Sequence, residues 1–92
     1  MIKSFGDRRT QALFNDDVVI EWGAIARQAK RKLALVDAAS RLEDLLVPPS
    51  NRLHKLRGDL EGFHAIRIND QWRIIFRWRD GDAHEVGILD YH

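Results

Sequence analysis

The second half of the chain carries His54, Arg57, Arg67, Arg73, Asp90, Tyr91 and His92, a set of side chains suited to cleaving a phosphodiester. RNA cleavage without a metal needs a base for the 2′-hydroxyl proton, a cation for charge on the pentavalent phosphorane, and an acid for the leaving 5′-oxygen. Imidazole suits both proton steps because its ordinary pKa, about 6.5, sits near working pH. Arginine suits the phosphate because its planar fork donates two parallel hydrogen bonds. Tyrosine offers a ring for an unpaired base and a hydroxyl donor. Asp90-Tyr91-His92 follows directly on the strand-like run 85–89, an arrangement expected to leave the last imidazole uncrowded.

Several of these residues also have a plainer reading. His54 is otherwise an exposed loop histidine, His92 a frayed end, and Arg57-Gly58-Asp59 a simple turn. His64 and His84 fall in phase with the apolar face of their strands and read as structural. No His-Glu-x-x-His spacing, Gly-rich phosphate loop or Ser-centred nucleophile elbow is present, and zero cysteines exclude a thiolate zinc site. No metal or cofactor is therefore expected.

Ninety-two residues, 45% of them hydrophobic and three of them tryptophan, suit one folded domain spanning residues 1–92. The N-terminal run lacks the apolar stretch of a signal peptide and no segment reaches membrane-spanning length, so a cytoplasmic protein without a membrane role is expected. Net charge is only +1, yet residues 52–79 hold seven cations against three carboxylates. Such a local surplus favours a polyanionic partner. A second basic cluster, Arg27, Lys30, Arg31 and Lys32, reads as a solvated helix face.

The elements that must position these groups are legible from periodicity. Ile2 to Phe5 reads as a short edge strand, and Asp7 as the N-cap of a helix through about Phe14. Val18 to Glu21 fits either a loop or a helix entry. From Trp22 to Leu46 the composition is helical, but two apolar stripes lie on nearly opposite sides at about 100° per residue. Trp22, Ile25, Ala26, Ala29, Leu33 and Val36 form one; Leu35, Ala38, Leu42, Leu45 and Leu46 form the other. A break near Asp37, with Asp37 capping a second short helix that ends before Pro48-Pro49, reconciles them.

Beyond Pro48-Pro49-Ser50-Asn51 come three alternating runs, Phe63–Ile68, Trp72–Arg79 and Ala83–Leu89. Opposed residues point the same way, so placing the apolar sets together pairs Ile66 with Ile74, Ile68 with Trp72, Ile74 with Ile88 and Phe76 with Val86. Both hairpins then have three-residue loops. One face carries Trp72, Ile74, Phe76 and Trp78; the other carries Arg67, Arg73, Arg77 and Arg79. Arg67 opposes Arg73, a costly like-charge pair unless an anion satisfies it. Arg77 opposes Glu85, and Tyr91 becomes a diagonal neighbour of Arg73. The expected fold class is α+β, with N-terminal helices packed on one face of a small antiparallel sheet.

Met1-Ile2-Lys3-Ser4-Phe5, the His-x-Leu-x-Gly-Asp run from His54 to Asp59, Glu61-Gly62, Asn69-Asp70-Gln71-Trp72-Arg73 and Asp90-Tyr91-His92 together resemble the HigB-type toxins of the RelE superfamily, over essentially the full length. The resemblance implies a RelE-like fold and an endoribonuclease that cuts mRNA in the ribosomal A site, leaving a 2′,3′-cyclic phosphate and a 5′-hydroxyl. It implies as partners the ribosome and a helix-turn-helix antitoxin, with DNA reached only through the antitoxin complex. The family's functional positions match His54, Arg73, Asp90, Tyr91 and His92. Arg57 stands where a lysine is common; it keeps the charge but is a poor base.

These matches imply proton transfer by His54 and His92, with neither fixed as base or acid. Arg73 would stabilise the phosphorane, Arg57 would hold the backbone, and Tyr91 would stack on a base; Arg67, opposed to Arg73 on the cationic face, is a further substrate-binding candidate. Asp90 would orient an imidazole or only finish its strand. The alternative is a non-catalytic RNA- or ribosome-binding module acting mainly as antitoxin partner and co-repressor. Direct DNA reading is disfavoured, since no Gly-containing turn separates two suitable helices.

Overall fold

Period-two alternation in the second half of the chain builds the sheet that carries His54, Arg67, Arg73 and Asp90. The fold was obtained as a computed structural model that describes residues 1–91. Strands β1 (His54–Lys55), β2 (His64–Arg67), β3 (Trp72–Arg79) and β4 (Asp82–Asp90) form one antiparallel sheet in that order. Ile66 pairs with Ile74 and Ile74 with Ile88, the register that the apolar sets require. Ile68 N–H donates to Trp72 O at 2.9 Å, which closes the expected three-residue loop Asn69–Gln71.

The second hairpin differs from expectation. Trp78 pairs with Ala83 and Arg79 with Asp82, so its loop is only Asp80-Gly81. Both loop residues have positive φ, 52° and 80°, the conformation whose twist suits a two-residue hairpin. The residue removed from the loop reappears inside β4. A register shift lies between Ile75 and Arg77, and Glu85 adopts φ 52° as the extra residue of a β-bulge. Arg77 consequently opposes His84 rather than Glu85, although its Nε still meets Glu85 Oε2 at 2.9 Å.

The bulge leaves an amide that the N-terminal segment satisfies: Glu85 N–H donates to Ser4 Oγ at 2.9 Å. Ile2 and Phe5 bridge Ala83 and Val86 in the parallel sense, so the expected edge strand is present as two isolated bridges beside β4. Gly6 N–H then donates to Val86 O at 2.8 Å.

Helix α1 (Arg8–Phe14) begins at the expected cap. Asp7 Oδ1 accepts from Thr10 N–H at 2.7 Å and Oδ2 from the buried Thr10 hydroxyl at 2.9 Å. Ile20–Trp22 forms a 3₁₀ turn, and α2 (Ala26–Ala38) follows. Trp22, Ile25, Ala29, Leu33 and Val36 are buried, so this stripe is the face laid on the sheet. The second stripe calls for a break near Asp37, and the helix ends at Ala38. The cap is not Asp37, however, and the next element is a 3₁₀ turn, Leu42–Leu46, rather than an α-helix. Asp37 instead accepts from Ile2 N–H at 2.9 Å, and Asp44 Oδ2 receives the amides of Ser40 and Arg41 at 2.9 and 3.1 Å. A five-residue segment that must lead into Pro48-Pro49 is too short for α-helical hydrogen bonding to pay off.

The core is the layer between α2 and one sheet face, where Leu33, Val36, Ile66, Ile74, Phe76 and Val86 are fully buried. Trp22 meets Trp72 edge-on at 6.3 Å. His64 stacks on its cross-strand partner Phe76 at 5.9 Å, as a structural histidine should. Burial, and secondarily the charge of Lys55, hold the His64 imidazole below its ordinary pKa. Asn51, also fully buried, donates to Leu45 O and Val47 O at 3.2 and 3.3 Å and accepts from Lys32 Nζ, pinning the turn that leads into β1.

Two outcomes follow from this packing. Asp7→Ala removes a cap and strands a buried hydroxyl, so it should lower unfolding free energy by about 1–2 kcal/mol, read as a lower urea midpoint with an unchanged m-value. An NMR titration of His64 should give a midpoint below the ordinary value, and Lys55→Gln should raise it only part of the way, because burial is the larger cause. The unfolded chain takes up this proton first, so His64 should make stability fall as pH drops from about 6.5 towards the lower folded value.

Candidate active site

The sheet face turned away from α2 gathers the candidate residues. Register places them there: Arg67 opposes Arg73, and Arg73 opposes Leu89. His54 joins them through a pairing that sequence periodicity did not show. As half of the two-residue strand β1 it opposes Ala65, which opposes Ile75, which opposes Gly87. Opposed residues share a face, so His54 lies in the row beside Arg67 and Arg73. Ala65, the direct partner of His54 in that row, is small.

Tyr91 ties the two chemical groups together. The Arg73 guanidinium lies over its ring at 4.6 Å from the centroid, and the His54 ring meets it edge-on at 6.1 Å and 74°. The Tyr91 N–H is fixed to Gln71 O at 2.6 Å. Arg73 Nη1 donates to Asn69 O and, at 3.1 Å, to Trp72 O. The diagonal relation of Arg73 to Tyr91 is thus as the register requires. His92 lies outside the described residues.

His54 is held in one tautomer by its neighbour. Arg52 adopts left-handed φ 49° and ψ 47°, and its carbonyl lies 2.7 Å from His54 Nδ1. A carbonyl only accepts, so Nδ1 carries the proton and the neutral ring bears its lone pair on Nε2. His54 Nε2 and Arg73 Nε are buried side-chain atoms with no hydrogen-bond partner among the described residues. Buried polar atoms are rarely left so. Here the two belong to the groups that flank one tyrosine, and their chemistry is that of a proton acceptor and a cationic donor.

The like-charge pair finds its anion inside the molecule. Arg67 bonds to the carboxylate of Asp70, and that bond, with the charge of Arg67 behind it, holds the Asp70 carboxyl below the usual range. Asp70 is itself almost wholly exposed, its side chain at 99%, so the bond is one that competing anions can reach. Asp90 Oδ2 accepts from Gln71 Nε2 at 3.1 Å, which joins the end of β4 to the β2–β3 loop.

Arg57 stands apart from this group. It precedes a 3₁₀ turn, Gly58–Leu60, and with His54, Lys55 and His64 lines a cleft of about 670 Å³ at the β1 edge. His54 borders both the cleft and the cationic face. Sequence reading overlooked the β2–β3 loop as more than a turn and a motif. Its carbonyls at Asn69 and Gln71 hold Arg73 and Tyr91, a role that side-chain chemistry alone does not announce.

A family model described as the RelE-like toxin of the type II toxin-antitoxin system HigB matches residues 3–92. The chain is 39% identical over 85 residues to a Vibrio cholerae protein named Toxin HigB-1, covering 90% of each. It is 35% identical to a Proteus vulgaris protein named Endoribonuclease HigB, covering all of both. Among solved structures, YafQ from E. coli superposes with TM-score 0.63 at 14% identity, over 98% of this chain and 91% of that one. YoeB in its complex with YefM from Staphylococcus aureus gives 0.61 at 15%, over 100% and 98%. The fold is thus shared with these two structures, and the sequence match is decisive: the chain belongs to the HigB-like family of RelE-like toxins of type II toxin-antitoxin systems.

Proposed function

We propose that this protein is an endoribonuclease that cuts mRNA in the ribosomal A site and thereby stops translation. The observation that carries the reading is the meeting of His54 and Arg73 on the Tyr91 ring. The name of the full-length Proteus vulgaris relative, Endoribonuclease HigB, supports it.

The 2′-hydroxyl oxygen attacks the adjacent phosphorus as one imidazole takes its proton. The bond to the 5′-oxygen then breaks as a second imidazole returns a proton, giving a 2′,3′-cyclic phosphate and a 5′-hydroxyl. The Nδ1 bond to Arg52 O leaves the His54 Nε2 lone pair for the base role, with His92 as the acid. Arg73 Nε donates to the phosphorane, where a preorganised cation gains most because charge is greatest in the transition state. Tyr91 leaves its place over Arg73 to stack on a base, uncovering His54 Nε2 and admitting the phosphate. Arg67 exchanges Asp70 for a backbone phosphate, and Arg57 neutralises phosphate along the cleft. Asp90 steadies the terminal segment through Gln71. The reading includes the cytoplasmic setting of translation, a helix-turn-helix antitoxin as silencing partner, and DNA contact only through that complex.

Arg73→Ala should cut the cleavage rate by about 10²-fold or more while far-UV circular dichroism stays unchanged, and cells expressing it should escape growth arrest. Mapping of 5′ ends after induction should show new 5′-hydroxyl ends with the parent chain and none with the variant. Undiminished cleavage by folded Arg73→Ala would contradict the assignment, and RNA binding without any cut ends would favour the non-catalytic module. Arg57→Ala should chiefly weaken binding, with the slope of log affinity against log salt shallower by about 0.7.

A further inference from the structure

The β2–β3 loop does more than reverse the chain. Asn69 Oδ1 accepts two backbone amides, Gln71 N–H and Trp72 N–H, each at 2.9 Å. Its own N–H donates to Trp72 O at 3.3 Å. One side chain thus fixes the directions of the peptide groups on both sides of Gln71. The carbonyls of this same short segment hold the site: Asn69 O and Trp72 O receive Arg73 Nη1, and Gln71 O receives the Tyr91 amide. Residues distant in sequence, Arg73 on β3 and Tyr91 just past β4, are therefore aimed from one turn. Tyr91 N–H to Gln71 O, at 2.6 Å, and Gln71 Nε2 to Asp90 Oδ2, at 3.1 Å, carry its geometry into the C-terminal segment.

We infer that Asn69 is a positioning residue for RNA cleavage, whose side-chain oxygen fixes the turn that holds the Arg73 guanidinium and anchors the Tyr91 backbone, leaving the Tyr91 ring free to turn. The inference rests on the reading of those two residues as site groups. An oxygen acceptor two and three residues ahead of the amides it receives is what Asn and Asp supply and Ala does not. Without it the peptide at Gln71 is free to rotate, and small misplacements of a charge-stabilising donor are costly to the rate. Ground-state binding of RNA, spread over many phosphate contacts, changes little.

The test compares the full-length protein with Asn69→Ala and Asn69→Asp. Asn69→Ala should lower kcat about ten- to a hundredfold with KM within about twofold, and Asn69→Asp should recover most of the rate. Amide hydrogen exchange gives a readout independent of catalysis. In Asn69→Ala the Tyr91 amide should exchange at least about tenfold faster, with Ile74 and Phe76 unaffected, and Asn69→Asp should restore its protection. Unchanged kcat in Asn69→Ala, or an Asp variant as slow as the Ala variant, would overturn the inference, as would full Tyr91 protection in Asn69→Ala. A fully active Arg73→Ala would instead remove the site reading beneath it, while the exchange data would still show whether Asn69 sets the loop.

Discussion

One row of apolar pairs, Ile66–Ile74–Ile88, fixes the register of β2, β3 and β4, and the cationic face follows from it. Side chains alternate along a strand, so burying this row under α2 obliges Arg67, Arg73 and Leu89 to form the matching row on the other side. A slip of one residue would drive the arginines into the core and expose Ile74. The energy that holds Arg73 in place is therefore largely hydrophobic and is spent on the opposite face. Polar contacts then need only refine an orientation already chosen.

The remaining architecture lets that register coexist with a short edge and a tight turn. The bulge at Glu85 absorbs the residue that the Asp80-Gly81 turn does not use, and it leaves the pairs near Arg73 in the register the apolar sets demand. The N-terminal segment covers the bulged part of β4, and Ser4 takes the amide there. At the other edge, the buried Asn51 and the left-handed Arg52 bring His54 onto the sheet. Both edges are built by individual contacts, the β4 edge by ones distant in sequence, while the centre is built by alternation. The chemical groups sit where the two kinds of structure meet.

This division explains what was legible in the sequence. Ile66, Ile74, Phe76 and Ile88 repeat at period two, so three strands, the β2–β3 register, the β3–β4 pairs near Arg73 and the opposition of Arg67 to Arg73 could be read directly, while the register beyond the bulge could not. Asp7 announced its helix because a cap has a chemical signature. His54 could not be placed, since a two-residue strand has no period. Glu85 gave no sign of a bulge, because its positive φ is imposed by the turn and the N-terminal segment rather than by a glycine. Asp37 looked like a cap, but its carboxylate is claimed by Ile2, far away in sequence. Asn69 and Gln71 were visible as turn formers and motif residues, but the work of their backbone carbonyls was not. Local and periodic signals survive in sequence; long-range contacts made by backbone atoms do not.

The central physical claim is that the His54 imidazole and the Arg73 guanidinium act on a single phosphate once the Tyr91 ring has moved off them. A double-mutant cycle in single-turnover cleavage on programmed ribosomes tests this most directly, using His54→Ala, Arg73→Ala and the pair. Groups that serve one transition state are strongly non-additive, so the double variant should be little slower than the slower single variant. Rate losses that simply multiply would show that the two residues act independently and would contradict a shared site.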